Sequence, residues 1–368
     1  MTILRADAIP ISLPYEIGGP KPMLAGRPRS MDILLIRIET DKGLIGWGDE
    51  ICYGIGLATR AAFEHLIAPW VLGRDESDIA GLHETLSRQL HLLGRGGAAM
   101  FALAGLDIAL WDIAGKAAGQ PLHALLGGAK HKTLPVYASL MRYANADLVA
   151  RNTTAALERG YRAIKLHEIT ANEVRAARGA MGAGGAGNNG ALMMDVNCPW
   201  TVEEALSIAD QVRPYDLLWF EEPVWPPEDF AGLAEVRRRC GIPLAAGENN
   251  MSALHFAQMM QAGAVDYAQP SVIKVGGVTE FMKVVKLTAE HKVTLMPHSP
   301  YFGPGLLASI HITATLLEET MIEYSFADLG ANPLGDAIIP RNGRIDVPQG
   351  PGLGRDPDME VVERYRVK

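Results

Sequence analysis

The sequence predicts a parallel α/β barrel preceded by a smaller α+β unit. Three observations carry that prediction. Between residues 134 and 326, eight short apolar runs each end in a polar residue, and those polar ends recur at steps of 23 to 28 residues. The segments between them have helical spacing. The first 125 residues break the pattern, with a hairpin signal followed by consecutive helical stretches.

In the first unit, "MDILLIRIET", a turn at "DKG" and "LIGWGDE" read as an antiparallel hairpin. Helices follow at about 57–72, 78–92 and 97–118. Residues 14–30, "PYEIGGPKPMLAGRPRS", are rich in Gly and Pro and carry Lys21, Arg27 and Arg29. They form either a lid over an anionic substrate or a solvated linker. The eight barrel strands are "LPVYAS", "AIKLH", "ALMMDV", "LLWFEE", "PLAAGE", "YAQPSV", "VTLMPH" and "MIEYSF". Among the helices, "TVEEALSIADQV" opens with Thr201 followed three residues later by Glu204, the pattern of a capping box. The run "GAMGAGGAGNNG", residues 179–190, precedes a strand and follows a helix. That order rejects a dinucleotide-binding loop and leaves a flexible loop on the barrel floor. The tail is Gly- and Pro-rich and is expected to return over the first unit, which sets the divisions at 1–125, 126–329 and 330–368.

Composition narrows the function classes. The 368-residue chain carries 42 acidic against 34 basic residues, a net charge of -8, which argues against nucleic acid as a partner. Three scattered cysteines make neither a disulfide framework nor a zinc cage. "MTILRADAIP" lacks a secretory pattern and no uninterrupted apolar run reaches membrane length, so the expectation is a cytoplasmic protein with no membrane partner.

Parallel barrels gather chemistry at the carboxyl ends of their strands. Here those ends bring Ser139, His167, Asp195, Glu221, Glu248, Ser271, His298 and Glu323 toward one mouth. Lys165 and His167 lie two apart on one strand and therefore share a face. Asp195, Glu221 and Glu248 end three successive strands. Converging carboxylates repel unless a cation sits among them, and Mg²⁺ suits an all-oxygen set. The alternative is a salt-bridge network in which Lys165 and Lys274 neutralise part of the charge.

The residues "GLIGWGDE", "ALAGLDIALWDIAGKAAGQPLHALLGG", "IKLH", "MMDVNCPW", "WFEEP", "AAGEN", "KVGGVTE" and "MPHS" together resemble the enolase superfamily, in its mandelate racemase and muconate lactonizing enzyme branch. The resemblance spans nearly the whole chain. It implies a capping domain on a modified TIM barrel of (β/α)7β type, with no helix after the last strand. It also implies Mg²⁺ on Asp195, Glu221 and Glu248, abstraction of the proton α to a carboxylate through an enediolate, and a homo-oligomer. Lys165 matches the first lysine of the family's Lys-x-Lys strand and would polarise the substrate carboxylate.

Two departures bear on mechanism. His167 stands where the family has its second lysine, and Ser271 stands where one branch has an Asp partnered with the strand-seven His. His298 is therefore expected to lack a carboxylate partner. His167, Lys165 and His298 are the expected catalytic set, with His167 as base and His298 as acid. Asn197, Lys274, Ser271, Glu323 and Arg27 are expected to contact substrate, Glu323 as a hydrogen-bond donor if protonated. The implied reaction is dehydration of a hydroxylated, sugar-acid-like carboxylate. The alternatives are racemisation or epimerisation of a 2-substituted carboxylate, and a non-catalytic metal-barrel binder.

Overall fold

The computed structural model describes residues 1–24, 27–50, 52, 54–183 and 190–367. Eight parallel strands follow one another around a curled sheet in chain order: Thr133–Ser139, Ala163–Leu166, Ala191–Asp195, Leu217–Glu221, Leu244–Ala246, Tyr267–Ala268, Thr294–Leu295 and Ile322–Ser325. The eighth pairs in parallel with the first, Glu323 opposite Tyr137 and Ser325 opposite Ser139. Between the seventh and eighth, no backbone ladder is present among the described residues. Ser299 spans that seam by donating its N–H to Glu323 Oε2 at 3.3 Å and its hydroxyl to the Glu323 carbonyl at 3.0 Å. Seven helices connect the strands, from Ala146–Glu158 to Pro304–Ala314, and among the described residues the α-helix that comes after Ser325 is the short Met359–Tyr365 in the tail.

Alternation sorts the strand side chains. Tyr137, Ala163, Met193, Trp219, Ala245 and Met296 fill the barrel interior as a buried cluster with Tyr267 and Met321. The outward positions, such as Ile164, Leu166, Leu192 and Phe220, join the larger core beneath the helices. Two residues beyond the interior layer, the same face turns polar with Ser139, Lys165, Asp195, Glu221, Gln269, His298 and Glu323, all buried. The apolar layer is the floor on which the polar one stands.

The expected capping hairpin is present as Met31–Thr40 and Ile45–Glu50. A strand not anticipated from sequence, Ile3–Leu13, joins it antiparallel at the sheet edge, where Arg5, Asp7 and Pro10 are tolerated because one side needs no partner. The long helix Gly97–Ala118 packs on this sheet so closely that a Cβ on Gly48 would lie 2.0 Å from the Gly105 carbonyl oxygen. That helix is long and apolar enough to cross a membrane by length and composition, unlike the sequence-based expectation, but 78% of its most apolar window is buried inside the fold. The helix Ala171–Ala183 runs into the Gly-rich segment expected as loop, and residues 184–189 lie outside the described residues. The tail returns to both units: Arg344–Asp346 pairs with Thr133–Pro135, and Val367 donates its N–H to the Pro10 carbonyl.

Candidate active site

Lys165 is the centre of the polar layer. Its side chain is fully buried, with Nζ 2.8 Å from Glu221 Oε1, 2.8 Å from Glu323 Oε1 and 3.1 Å from Asp195 Oδ2. Burial opposes its charge, yet Glu221, Glu323 and Asp195 raise the ammonium pKa well above the ordinary lysine value. It therefore stays cationic.

The carboxylates are held by further donors. Trp219 Nε1 donates to Glu221 Oε2 at 2.7 Å, and the Asn197 N–H donates to Asp195 Oδ1 at 3.0 Å. Burial works against ionisation of Asp195, but Lys165 and His167 lower its pKa. Glu221 goes the other way, since burial and the neighbouring Asp195 charge push its carboxyl well above the usual range. Glu248, turned toward the seventh strand, has Oε2 2.6 Å from His298 Nε2. Burial opposes its charge, while His298 and Lys274 bring it down to about 2.

His167 lies with Nδ1 2.6 Å from the Leu140 carbonyl and Nε2 3.2 Å from Asp195 Oδ2. A carbonyl only accepts, so Nδ1 carries a proton and Nε2 is the nitrogen that faces the cluster. Burial lowers the imidazole pKa, but the Asp195 charge and contact outweigh it, leaving the value raised.

The expectation that His298 lacks a carboxylate is corrected by Glu248. Position 271 does not supply it: Ser271 Oγ lies 3.5 Å from the Tyr301 hydroxyl, which donates to the His298 carbonyl at 2.8 Å. His298 Nδ1 is buried without a hydrogen-bond partner. Burial opposes ionisation of Glu323, but Lys165 and His298 lower its pKa. Its Oε1 accepts from Ser139 at 2.7 Å as well as from Lys165. Asn197 is exposed beside the cluster at φ 54°, and Lys274 is buried near Glu248. Lys21 lies 3.7 Å from Glu16 and over the Tyr15 ring. The Arg27 side chain lies outside the described residues.

Two polar residues were missed from sequence. Gln269 is fully buried in the polar layer with both amide atoms unpartnered. Glu222 accepts from the Gly247 N–H at 2.9 Å and from Cys198 Sγ at 3.3 Å, behind the Glu248 turn. Burial and the Glu248 charge raise its carboxyl to about 7. The doubled Glu of "FEEP" was a usable signal for it, whereas nothing near Gln269 marked it apart from Ser271.

Among the described residues no three acidic, His or Cys side chains stand as a ready metal cage. The donor set nonetheless suits a hard divalent cation. Asp195, Glu221 and Glu323 are buried around the Lys165 ammonium with the partly buried Glu248 beside them, and burial together with the Asp195 charge opposes ionisation of Glu221, which a cation among the carboxylates would relieve.

The Mandelate racemase / muconate lactonizing enzyme N-terminal domain family matches residues 15–127, and the Enolase C-terminal domain-like family matches residues 148–361. The chain is 32% identical over 356 residues to D-galactarolactone cycloisomerase of Agrobacterium fabrum, covering 91% of each chain. It is 30% identical to arabinonate dehydratase of Saccharolobus solfataricus, covering 92% of this chain and 91% of that one. A magnesium-complexed mandelate racemase/muconate lactonizing protein from Paracoccus denitrificans superposes with a TM-score of 0.88 at 27% identity, over 99% of this chain and 97% of that one. With both halves matched in order around one polar barrel mouth, the chain belongs to the mandelate racemase / muconate lactonizing enzyme group of the enolase superfamily.

Proposed function

We propose that the protein is a Mg²⁺-dependent lyase that dehydrates a sugar-acid-like carboxylate by removing its α-proton. The observation that carries this reading is the pairing of Lys165, enclosed by carboxylates, with a His167 whose Nε2 faces the same cluster. Asp195, Glu221 and Glu248 would hold the cation, which supplies Lewis-acid stabilisation of the substrate carboxylate.

His167 Nε2 takes the α-proton while its Nδ1–H remains on the Leu140 carbonyl, so the ring does not turn as it becomes cationic. The C–H electrons form the enediolate C=C, and Lys165 stabilises the added negative charge, which is largest near the transition state. Collapse of the enediolate expels the β-hydroxyl, and His298 Nε2 supplies the proton that lets it leave as water. The resulting enol takes up a proton at C3, gives up the proton of its C2 hydroxyl and becomes the 2-oxo-3-deoxy acid. Glu323 and Ser139 hold Lys165 in place from the eighth and first strands.

A second reading, ring-opening elimination, draws support from the resemblance to a D-galactarolactone cycloisomerase. There the same α-proton leaves, but the group expelled is a ring oxygen. A screen of acid sugars and their lactones with Mg²⁺ tests both. The expected result is a 2-oxo-3-deoxy acid from at least one of them. An inverted but otherwise unchanged acid as sole product would establish a racemase or epimerase instead, and binding without turnover across the panel would favour the binder.

A further inference from the structure

Glu168, beside His167, is a buried carboxylate that no step above uses; it is 2% exposed. Its Oε1 accepts the Tyr143 N–H at 2.6 Å and the Ala144 N–H at 3.2 Å, and its Oε2 lies 3.1 Å from the same Ala144 nitrogen. Both donors belong to the loop that follows the first barrel strand. Ala144 stands there at φ 49°, a left-handed conformation that a residue with a Cβ rarely adopts. Charge-assisted hydrogen bonds to the two adjacent amides hold that turn.

The same loop touches both His167 and the N-terminal segment. Its Leu140 carbonyl receives the His167 Nδ1–H at 2.6 Å. Its Tyr143 hydroxyl donates to the Ile17 carbonyl at 2.6 Å, and the Tyr143 ring lies under Gly19, where a Cβ would come within 2.8 Å of it. Asn152 Nδ2, 3.2 Å away, and Arg151 both donate to the Gly18 carbonyl, so residues 17–19 are seated from one side by this loop and the helix after it. One short loop thus joins the imidazole to the N-terminal segment.

We propose that Glu168 is a positioning residue that fixes the His167 imidazole and seats the N-terminal segment through this loop. The inference rests on reading His167 as the proton acceptor. Without the carboxylate the buried Tyr143 amide and the neighbouring Ala144 amide lose their acceptor, the strained turn relaxes, and the Leu140 carbonyl leaves its place opposite Nδ1.

The decisive readout is ¹H–¹⁵N NMR of the full chain labelled at histidine, with excess Mg²⁺. The wild type shows a downfield, slowly exchanging His167 Nδ1–H. Glu168→Ala loses that resonance, and Glu168→Gln restores it, because one amide oxygen can accept both N–H groups as Oε1 does here. Tyr143→Phe keeps the resonance while loosening residues 17–19. With arabinonate as the probe, Glu168→Ala lowers kcat about 10- to 100-fold with less change in KM, and Tyr143→Phe acts chiefly on KM. Should the alanine variant fail to fold, Glu168→Asp, too short to reach both amides, takes its place and loses the resonance. An unchanged resonance in Glu168→Ala, or no restoration by Gln, overturns the proposal. If His167→Ala still exchanges the α-proton, the base assignment fails, and the resonance still decides the role of Glu168.

Discussion

With Lys165 enclosed between Glu221, Glu323 and Asp195, one ammonium group offsets much of the negative charge in the polar layer. Removing one partner of such a buried arrangement costs about 3–5 kcal/mol, because the remaining charges lose their counter-ion. Lys165→Met is therefore expected to lower the melting temperature of the metal-free protein, with part of the loss recovered in excess Mg²⁺, and to reduce kcat much more than it changes KM. Thermal melts with and without the metal, and steady-state kinetics, check both. A second prediction concerns pH. His311 is fully buried, stacked on His123 with ring centroids 5.3 Å apart, and burial lowers its pKa to about 4. Its stability contribution is complete above the unfolded value near 6.5 and is lost as pH falls toward 4, since only the unfolded chain binds the proton there. The loss is about 3 kcal/mol, and His311→Gln should flatten that acid limb in denaturant titrations. The catalytic candidates were legible in the sequence because strand spacing aligned them. The partner of His298 was not, because it depends on how Glu248 turns after Gly247, which stands at φ 129°.

At the scale of elements, short apolar runs with regularly spaced polar ends carried the reading of the barrel strands, and all eight lie where the apolar runs placed them. The edge strand Ile3–Leu13 escaped because its charged residues and Pro10 dilute the pattern, and only the ladder to Met31–Thr40 explains it. Gln269 escaped for a related reason. The sixth strand is only two residues long, so which of Gln269 and Ser271 faces the layer is set by its neighbours rather than by its own letters. The close approach of Gly48 to the helix Gly97–Ala118 yields a third prediction. Gly48→Ala forces a methyl group into the Gly105 carbonyl and should destabilise by about 3 kcal/mol, read as a lower denaturant midpoint. Gly43→Ala in the hairpin turn has open space around the new methyl, so any loss there comes from its φ of 77° alone.

For the whole molecule, the layer of carboxylates ties stability to the cation they would hold. Mg²⁺ at 100 times its dissociation constant should stabilise the fold by about 2.7 kcal/mol, and Glu221→Gln should reduce that gain, both measurable by thermal shift. The central claim is that His167 removes the α-proton of a carboxylate beside Lys165. Its most direct test is α-deuterium exchange in D₂O with Mg²⁺ and a turned-over acid sugar, comparing wild type, His298→Asn and His167→Ala. His298→Asn is expected still to exchange the α-proton while failing to release water, and His167→Ala to do neither. Undiminished exchange by His167→Ala, with exchange lost in His298→Asn, would contradict it and assign proton abstraction to the opposite side of the site.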